Sequence, residues 1–344
     1  MKRRLYVIFN LVAVGWLLTA CSDDAPQQEA QEDMRIELRS MTRADGDVDE
    51  LSADTEMADI HAFLSCDVDG TRAEGAFKHY VETVSEDAVY HYWTAEGLKC
   101  KPGTRTFSLY GYMPDVSGLT GSMNVANYQL EITGIEPMTT KDICVVTGVR
   151  KSEEIALPLR GQYTFDYINS NYNERTILNL RLEHLLGRLA FKFKIGNRYS
   201  ALRKITVTSL AIEAKAKKTI TATVNLPREP EDVVTVNYTA DGDEINKRLS
   251  MLTTEDPAKP LSTTAVEVGR INVAVGSGLE YDLVSTYDVF DLQDNKLSTR
   301  TARNHLSEVM PAMGQVKEIT LTVEPTYLYQ LSDKDLNNPE VTIN

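Results

Sequence analysis

Beyond Asp33 the chain alternates apolar and polar residues with a period of two over most of its length. Met34, Ile36 and Leu38 alternate with Arg35, Glu37 and Arg39, and Phe107 and Leu109 with Thr106 and Ser108. Leu178, Leu180 and Leu182 alternate with Asn179, Arg181 and Glu183. After a break at His184–Gly187, Leu189, Phe191, Phe193 and Ile195 alternate with Ala190, Lys192 and Lys194. The pattern returns at Ile205 and Val207, at Ile220, Ala222, Val224 and Leu226, and at Val234, Val236 and Tyr238. It closes with Ile271, Val273 and Val275, then Ile319, Leu321 and Val323. Successive side chains of a strand point to opposite faces, so this period predicts strands with one buried and one wet face. Gly, Pro, Asn and Asp punctuate the runs, as antiparallel sheets require. No long segment carries a period of 3.6; Ala201–Lys204 and Asp241–Met251 have room for a helical turn or two at most. The expected fold is all-β. A length of 344 residues suits two tandem antiparallel β-sandwich domains of about 150 residues each. Gly196-Asn197-Arg198 marks the expected boundary, giving an N-terminal sandwich over 44–196 and a C-terminal one over 197–344.

The amino terminus breaks the pattern. Lys2-Arg3-Arg4 precede an apolar run from Leu5 to Leu18 that only Asn10 interrupts, and Leu18-Thr19-Ala20-Cys21 follows. The run falls short of the roughly 18–20 residues that span a bilayer. Its Leu-x-Ala-Cys ending resembles a bacterial lipoprotein signal. That resemblance implies a leader over residues 1–20 and lipidation of Cys21, with the outer membrane as partner through the lipid. Stable anchoring takes more than one acyl chain, which a multiply acylated cysteine supplies. Ser22-Asp23-Asp24 and the polar stretch to Asp33 read as a solvated tether. This acidic start also resembles the signal that sends some lipoproteins to the outer face of the outer membrane.

Composition narrows the function classes. With 36 basic and 50 acidic residues the chain carries −14, and without Lys2, Arg3 and Arg4 the rest carries −14 less 3, or −17. Such a polyanion is repelled by nucleic acid and by anionic head groups. Besides Cys21 there are Cys66, Cys100 and Cys144, so at most one disulfide forms, and their spacing fits no zinc pattern. They read as small buried residues. His61, His79, His91, His184 and His305 stand in no metal or catalytic motif. Asp45, Asp47, Asp49 and Glu56 keep the spacing of an EF-hand loop, but Glu50 stands where the sharp turn needs Gly, so the run reads as a solvated acidic loop. Asp67-Val68-Asp69-Gly70 reads as a hairpin turn, and Gly276-Ser277-Gly278 as a turn between strands rather than a phosphate cradle. No catalytic residue, metal ligand or cofactor site is expected, and the chain is not read as an enzyme.

Several local segments together resemble the fimbrillin family, the type V (Mfa-like, FimA-like) pilins. They are Tyr110-Gly111-Tyr112-Met113-Pro114, Asp142-Ile143-Cys144-Val145-Val146, the run Arg181–Phe193 with His184 and Gly187-Arg188 at its centre, and Pro311-Ala312-Met313-Gly314 before the Ile319–Val323 strand. Gly187 stands where the family more often has Ala. The resemblance implies transthyretin-like sandwiches and a structural subunit of a surface fimbria involved in adhesion. It also implies a route of assembly. An arginine-specific protease removes the first strand after export, and a strand from the next subunit fills the gap. Here Met34, Ile36 and Leu38 form that removable strand within a propeptide at 21–43. Arg43-Ala44 is the expected cut, with Arg39 a second one. Burying three such side chains is worth on the order of 5–9 kcal/mol, at roughly 1.5–3 kcal/mol each. The expected donor is the tail Thr326–Asn344, which Pro325 and Pro339 keep out of a central strand. Implied partners are other pilus subunits, the protease, and a host or microbial surface ligand.

Two other readings stand beside this one. In the first alternative, Met34–Leu38 is a permanent first strand in an uncut surface lipoprotein that serves as a pilus anchor. Alternatively, the lipoprotein binds glycan on an aromatic platform at Tyr90, Tyr92 and Trp93.

Overall fold

The computed structural model describes residues 35–37, 57–66, 72–85, 88–95, 98, 106–151, 159–160, 162–164, 178–228, 232–275, 279–307, 309–324 and 340–343. All of them belong to the unit Asp33–Asn344. Among them the only helix is the single turn α1 (Asn197–Ser200), and none is long and apolar enough to cross a membrane. The remaining elements are strands in three sheets.

A nine-stranded sheet holds most of the amino-proximal strands. Its order is β10 (Leu159–Arg160), β9 (Cys144–Lys151), β12 (Leu178–His184), β1 (Arg35–Glu37), β4 (Ala88–Ala95), β3 (Arg72–Ser85), β2 (Ile60–Cys66), β5 (Thr106–Met113) and β11 (Gln162–Thr164). β5 also pairs with β9, through Gly111↔Val146, Tyr112↔Val145 and Met113↔Cys144. The hydrogen-bonded neighbours therefore close a circuit, β9-β12-β1-β4-β3-β2-β5 and back to β9. Ile60, Ala62 and Leu64 on alternate positions of β2 are buried, as the period of two requires.

A seven-stranded sheet runs β19 (Lys296–Leu306), β18 (Tyr281–Phe290), β14 (Lys204–Asn225), β7 (Gln129–Ile135), β6 (Thr120–Asn124), with β15 (Thr235–Leu252) and β16 (Lys259–Pro260) also on β14. A five-stranded sheet runs β21 (Glu340–Ile343), β20 (Val316–Val323), β13 (Leu186–Ile195), β17 (Val266–Ala274) and β8 (Met138–Thr139). One core, with Leu189, Phe191, Phe193, Ile319 and Leu321 against Val207, Ile212, Leu283 and Tyr287, joins the five- and seven-stranded sheets. That is sandwich packing. A second core sets Tyr110, Tyr112 and Val145 against Ile132, Ile220, Ala222 and Val224, and so joins the nine-stranded sheet to the far half of β14.

The observed strands follow the alternating runs closely, and the fold is all-β. Three details differ from the sequence reading. The sheets do not divide at Gly196: β13, which precedes it, pairs with β17 and β20, while β6 and β7 join the sheet of β14. One of several changes of sheet along the chain falls between His184 and Leu186, where the alternation itself breaks. Pairing is not wholly antiparallel, since β13 lies parallel to β20 and β1 to β12. Finally, Asp241–Met251 is strand rather than helix. It continues β15 along β14, and ladder pairing there overrides the weak local preference.

Two glycines are fixed by close approach rather than by turn geometry. A Cβ at Gly187 would lie 2.6 Å from the Ala312 carbonyl oxygen and 2.5 Å from Pro311 Cγ. At Gly111 it would lie 2.2 Å from the His61 carbonyl oxygen. An alanine therefore does not fit at 187 in this chain unless the Pro311–Ala312 backbone withdraws. Gly187→Ala and Gly111→Ala are each expected to cost at least the roughly 1–3 kcal/mol typical of an overpacked core, read as a lower urea midpoint. Phe191→Ala, which empties the core between the sheets, should cost about 3–5 kcal/mol in the same measurement. An unchanged midpoint in the glycine variants would show that the segments they touch can yield freely.

Candidate functional site

The segments singled out in the sequence come together where the three sheets meet. Met113 on β5 is paired with Cys144 on β9, and Cys144 with His184 on β12. One residue later, Leu185 donates its backbone N–H to the Ile143 carbonyl at 2.8 Å, and the chain enters β13. There Gly314 donates to the Leu186 carbonyl at 3.0 Å, and Arg188 donates to the Gln315 carbonyl at 2.8 Å. Four stretches that are remote in sequence thus form one continuous seam.

At the centre of the seam lies a buried polar cluster. His184 Nδ1 is 3.0 Å from Asp142 Oδ1 and 3.0 Å from Oδ2, and 3.3 Å from Cys144 Sγ. Arg188 Nη2 lies 3.6 Å from Asp142 Oδ2, and its Nε donates to Asn272 Oδ1 at 3.0 Å. Asn272 in turn donates from Nδ2 to the Thr140 carbonyl at 3.4 Å. The β13–β17 ladder pairs Arg188 with Asn272, and the β17–β8 ladder pairs Asn272 with Thr139, so register alone brings this chain of contacts together. The side chains of Asp142 and Arg188 are only 5% and 7% exposed, so their charges must be compensated inside the fold, and each lies within reach of the other. Beside the cluster, buried Thr147 donates its hydroxyl to Glu183 Oε1 at 3.2 Å.

Chemically this is not an activated nucleophile. A thiol–imidazole–carboxylate relay needs thiol and carboxylate at opposite ring nitrogens. Here both face Nδ1, so His184 cannot take the thiol proton and be oriented by the acid at the same time. The arrangement suits a fixed polar clasp, or a cation held by three converging donors.

The other residues named from sequence are placed as follows. Ile36 lies in β1, paired with Trp93 of β4 and with Leu178 of β12. Cys21, Met34, Leu38, Arg39, Arg43 and Ala44 lie outside the described residues, as do the acidic run 45–56, Cys100 and the turns at 67–70 and 276–278. Within the tail 326–344, residues 340–343 form β21, an edge strand antiparallel to β20. The aromatic platform loses its largest member. Trp93 is fully buried and donates its indole N–H to the Ala58 carbonyl at 2.8 Å. His61 lies between Glu74 at 2.8 Å and Asp115 at 3.4 Å, and His305 lies 3.0 Å from Asp282. His79 packs on the Trp93 ring. Cys144 is buried as expected, but in polar company that the sequence reading did not foresee. Its partners are as many as 40 residues away in sequence, and only the facing of β9 and β12 joins them.

No protein-family model matches the chain, and no curated protein matches it. Among solved structures, the chain is similar to a fimbrial protein of Bacteroides vulgatus, with 15% identity, coverage of 91% of this chain and 98% of that one, and a TM-score of 0.44. A candidate cell-adhesion protein of Bacteroides uniformis shares 12% identity over 92% and 98% of the two chains, with a TM-score of 0.42. The fimbrial anchor protein Mfa2 of Porphyromonas gingivalis shares 9% identity over 91% and 96%, with a TM-score of 0.32.

Replacing Arg188 by Met should leave the Asp142 carboxylate buried without its cation, lowering stability by about 3–5 kcal/mol in urea unfolding. Adding Asp142→Asn to that variant should recover part of the loss, because no buried charge then remains. Strictly additive effects of the two changes would mean that the residues do not act as a pair.

Proposed function

We propose that this chain is a structural subunit of a surface fimbria, exported as a lipoprotein precursor through Cys21. It assembles with other subunits by strand exchange once its first strand has been cut away. The observation that carries this reading is the position of β1. Its residues Arg35, Ile36 and Glu37 pair with Thr94, Trp93 and Tyr92 of β4 on one edge, and Ile36 pairs with Leu178 of β12 on the other. Elsewhere in the circuit β4 pairs with β3, and β12 with β9. Loss of β1 would therefore open the circuit and bare the facing edges of β4 and β12. Two unpaired edges across one strand-wide gap form a template for an incoming strand. Arg43-Ala44 follows β1 and precedes β2, so a cut there frees β1 from the rest of the sheet together with Cys21.

The residues that fill the gap would come from another subunit. The tail 326–344 supports this role because the part of it in β21 lies at a sheet edge, where it can leave without breaking a ladder on a second side. On this reading the chain is non-catalytic, and its working surfaces are strand edges. The division of labour follows the sheets: the nine-stranded sheet accepts a strand, and the five-stranded sheet, which holds β21 at its edge, supplies one.

The same observation also favours a second reading. A strand bonded on both edges is costly to extract, as suits a subunit that keeps β1 and its lipid and serves as the anchor of a fimbria. Arginine-specific proteolysis of the purified precursor separates the two. Strand exchange predicts a new amino terminus at Ala44 and ladders that resist SDS; Arg43→Gln should abolish that terminus, and Arg39→Gln with Arg43→Gln should abolish the ladders as well. A precursor that stays whole and monomeric under the protease would leave the anchor reading standing and dismiss polymerisation of this subunit.

A further inference from the structure

We propose that Asp142, Cys144 and His184 form a zinc site at the junction of the sheets, a role independent of fimbrial assembly. Cys144 Sγ, His184 Nδ1 and a carboxylate oxygen of Asp142 lie within 4.8 Å of one another. Three features of the cluster point to a cation among them.

The first is the count of protons. Nδ1 is 3.3 Å from the thiol sulfur and 3.0 Å from both carboxylate oxygens. One ring nitrogen either carries a single proton or offers a single lone pair. It can donate to the acid or accept from the thiol, but cannot do both. A cation in the middle takes all three donors as ligands, releasing the thiol proton and leaving Nδ1 with its lone pair free to coordinate.

The second is Asp142 itself. Its side chain is 5% exposed, yet Oδ2 accepts no hydrogen bond among the described residues. Arg188 offsets the charge from 3.6 Å without bonding this oxygen, and a metal ion would give it a direct ligand bond.

The third is the surrounding shell. Arg188 reaches Oδ2 at 3.6 Å and is held by Asn272, which is bonded to the Thr140 carbonyl. Ligating carboxylates are oriented by outer partners of this kind.

The donor set selects the metal. A thiolate and an imidazole beside a carboxylate suit zinc, whereas magnesium and calcium prefer oxygen alone. Zinc–ligand lengths of about 2.0–2.3 Å set tetrahedral donors roughly 3.4–3.6 Å apart. The separations of Nδ1 from the sulfur and from the carboxylate oxygens need open by only a few tenths of an ångström. Three protein ligands leave a fourth position, which water would take. The ion would pin β9 to β12 just before the chain enters β13.

The test is to strip the purified full chain with a chelator and titrate it first with Co2+, then with Zn2+. We expect one Co2+ per chain, with an intense thiolate-to-cobalt absorption in the near ultraviolet that Zn2+ abolishes. At a hundredfold excess over Kd, Zn2+ should raise Tm by about 5 °C. Cys144→Ser and His184→Gln should lose the absorption, while Cys21→Ser, Cys66→Ser and Cys100→Ser should keep it. A wild-type chain with neither absorption nor a zinc-dependent Tm would overturn the proposal, as would loss of the signal in any of the last three variants. If Cys144→Ser does not fold, the wild-type titration and those three variants decide the matter.

Discussion

A carboxylate and a guanidinium taken out of water must neutralise each other where they lie, and Asp142 and Arg188 do so across the boundary between two sheets. Asp142 leads into β9 of the nine-stranded sheet, and Arg188 belongs to β13 of the five-stranded one. The single residue Leu185 separates β12 from β13, so the register of one sheet is passed directly to the next. Shifting β13 by one position would carry Arg188 away from Asn272 and Asp142 and turn Phe191 and Phe193 out of their core. The buried pair therefore penalises the alternatives as much as it stabilises the fold found.

Around that junction the chain changes sheet repeatedly. β7 pairs within the seven-stranded sheet, β8 within the five-stranded and β9 within the nine-stranded, in immediate succession. β14 spans 22 residues and serves both cores, one with each half. The glycines at 187 and 111 belong to the same design, since each lets a backbone approach that any larger residue would block.

Against this interlocked centre, the circuit of the nine-stranded sheet closes through the three-residue β1. It is short, it is joined to the next strand only through the stretch that contains Arg43, and it is bonded on both edges. The strand exchange proposed above would leave the firmly held centre in place and replace only this small piece. The anchor reading needs only that the piece be kept.

The period of two was enough to give the strands and the all-β class, because each strand buries one face whatever it pairs with. Even one of the changes of sheet left a mark, as the alternation breaks at His184–Gly187. Sequence could not say which strands would be partners. Asp142, Cys144 and His184 were each noticed, but as separate marks, because nothing local joins residues on facing strands. Nor could it tell that Trp93 would be buried rather than offered to a ligand, since an aromatic run reads alike on either face. Local alternation is written in neighbouring residues, whereas register and sheet order depend on how distant segments fill one another's space, and only the folded chain decides that.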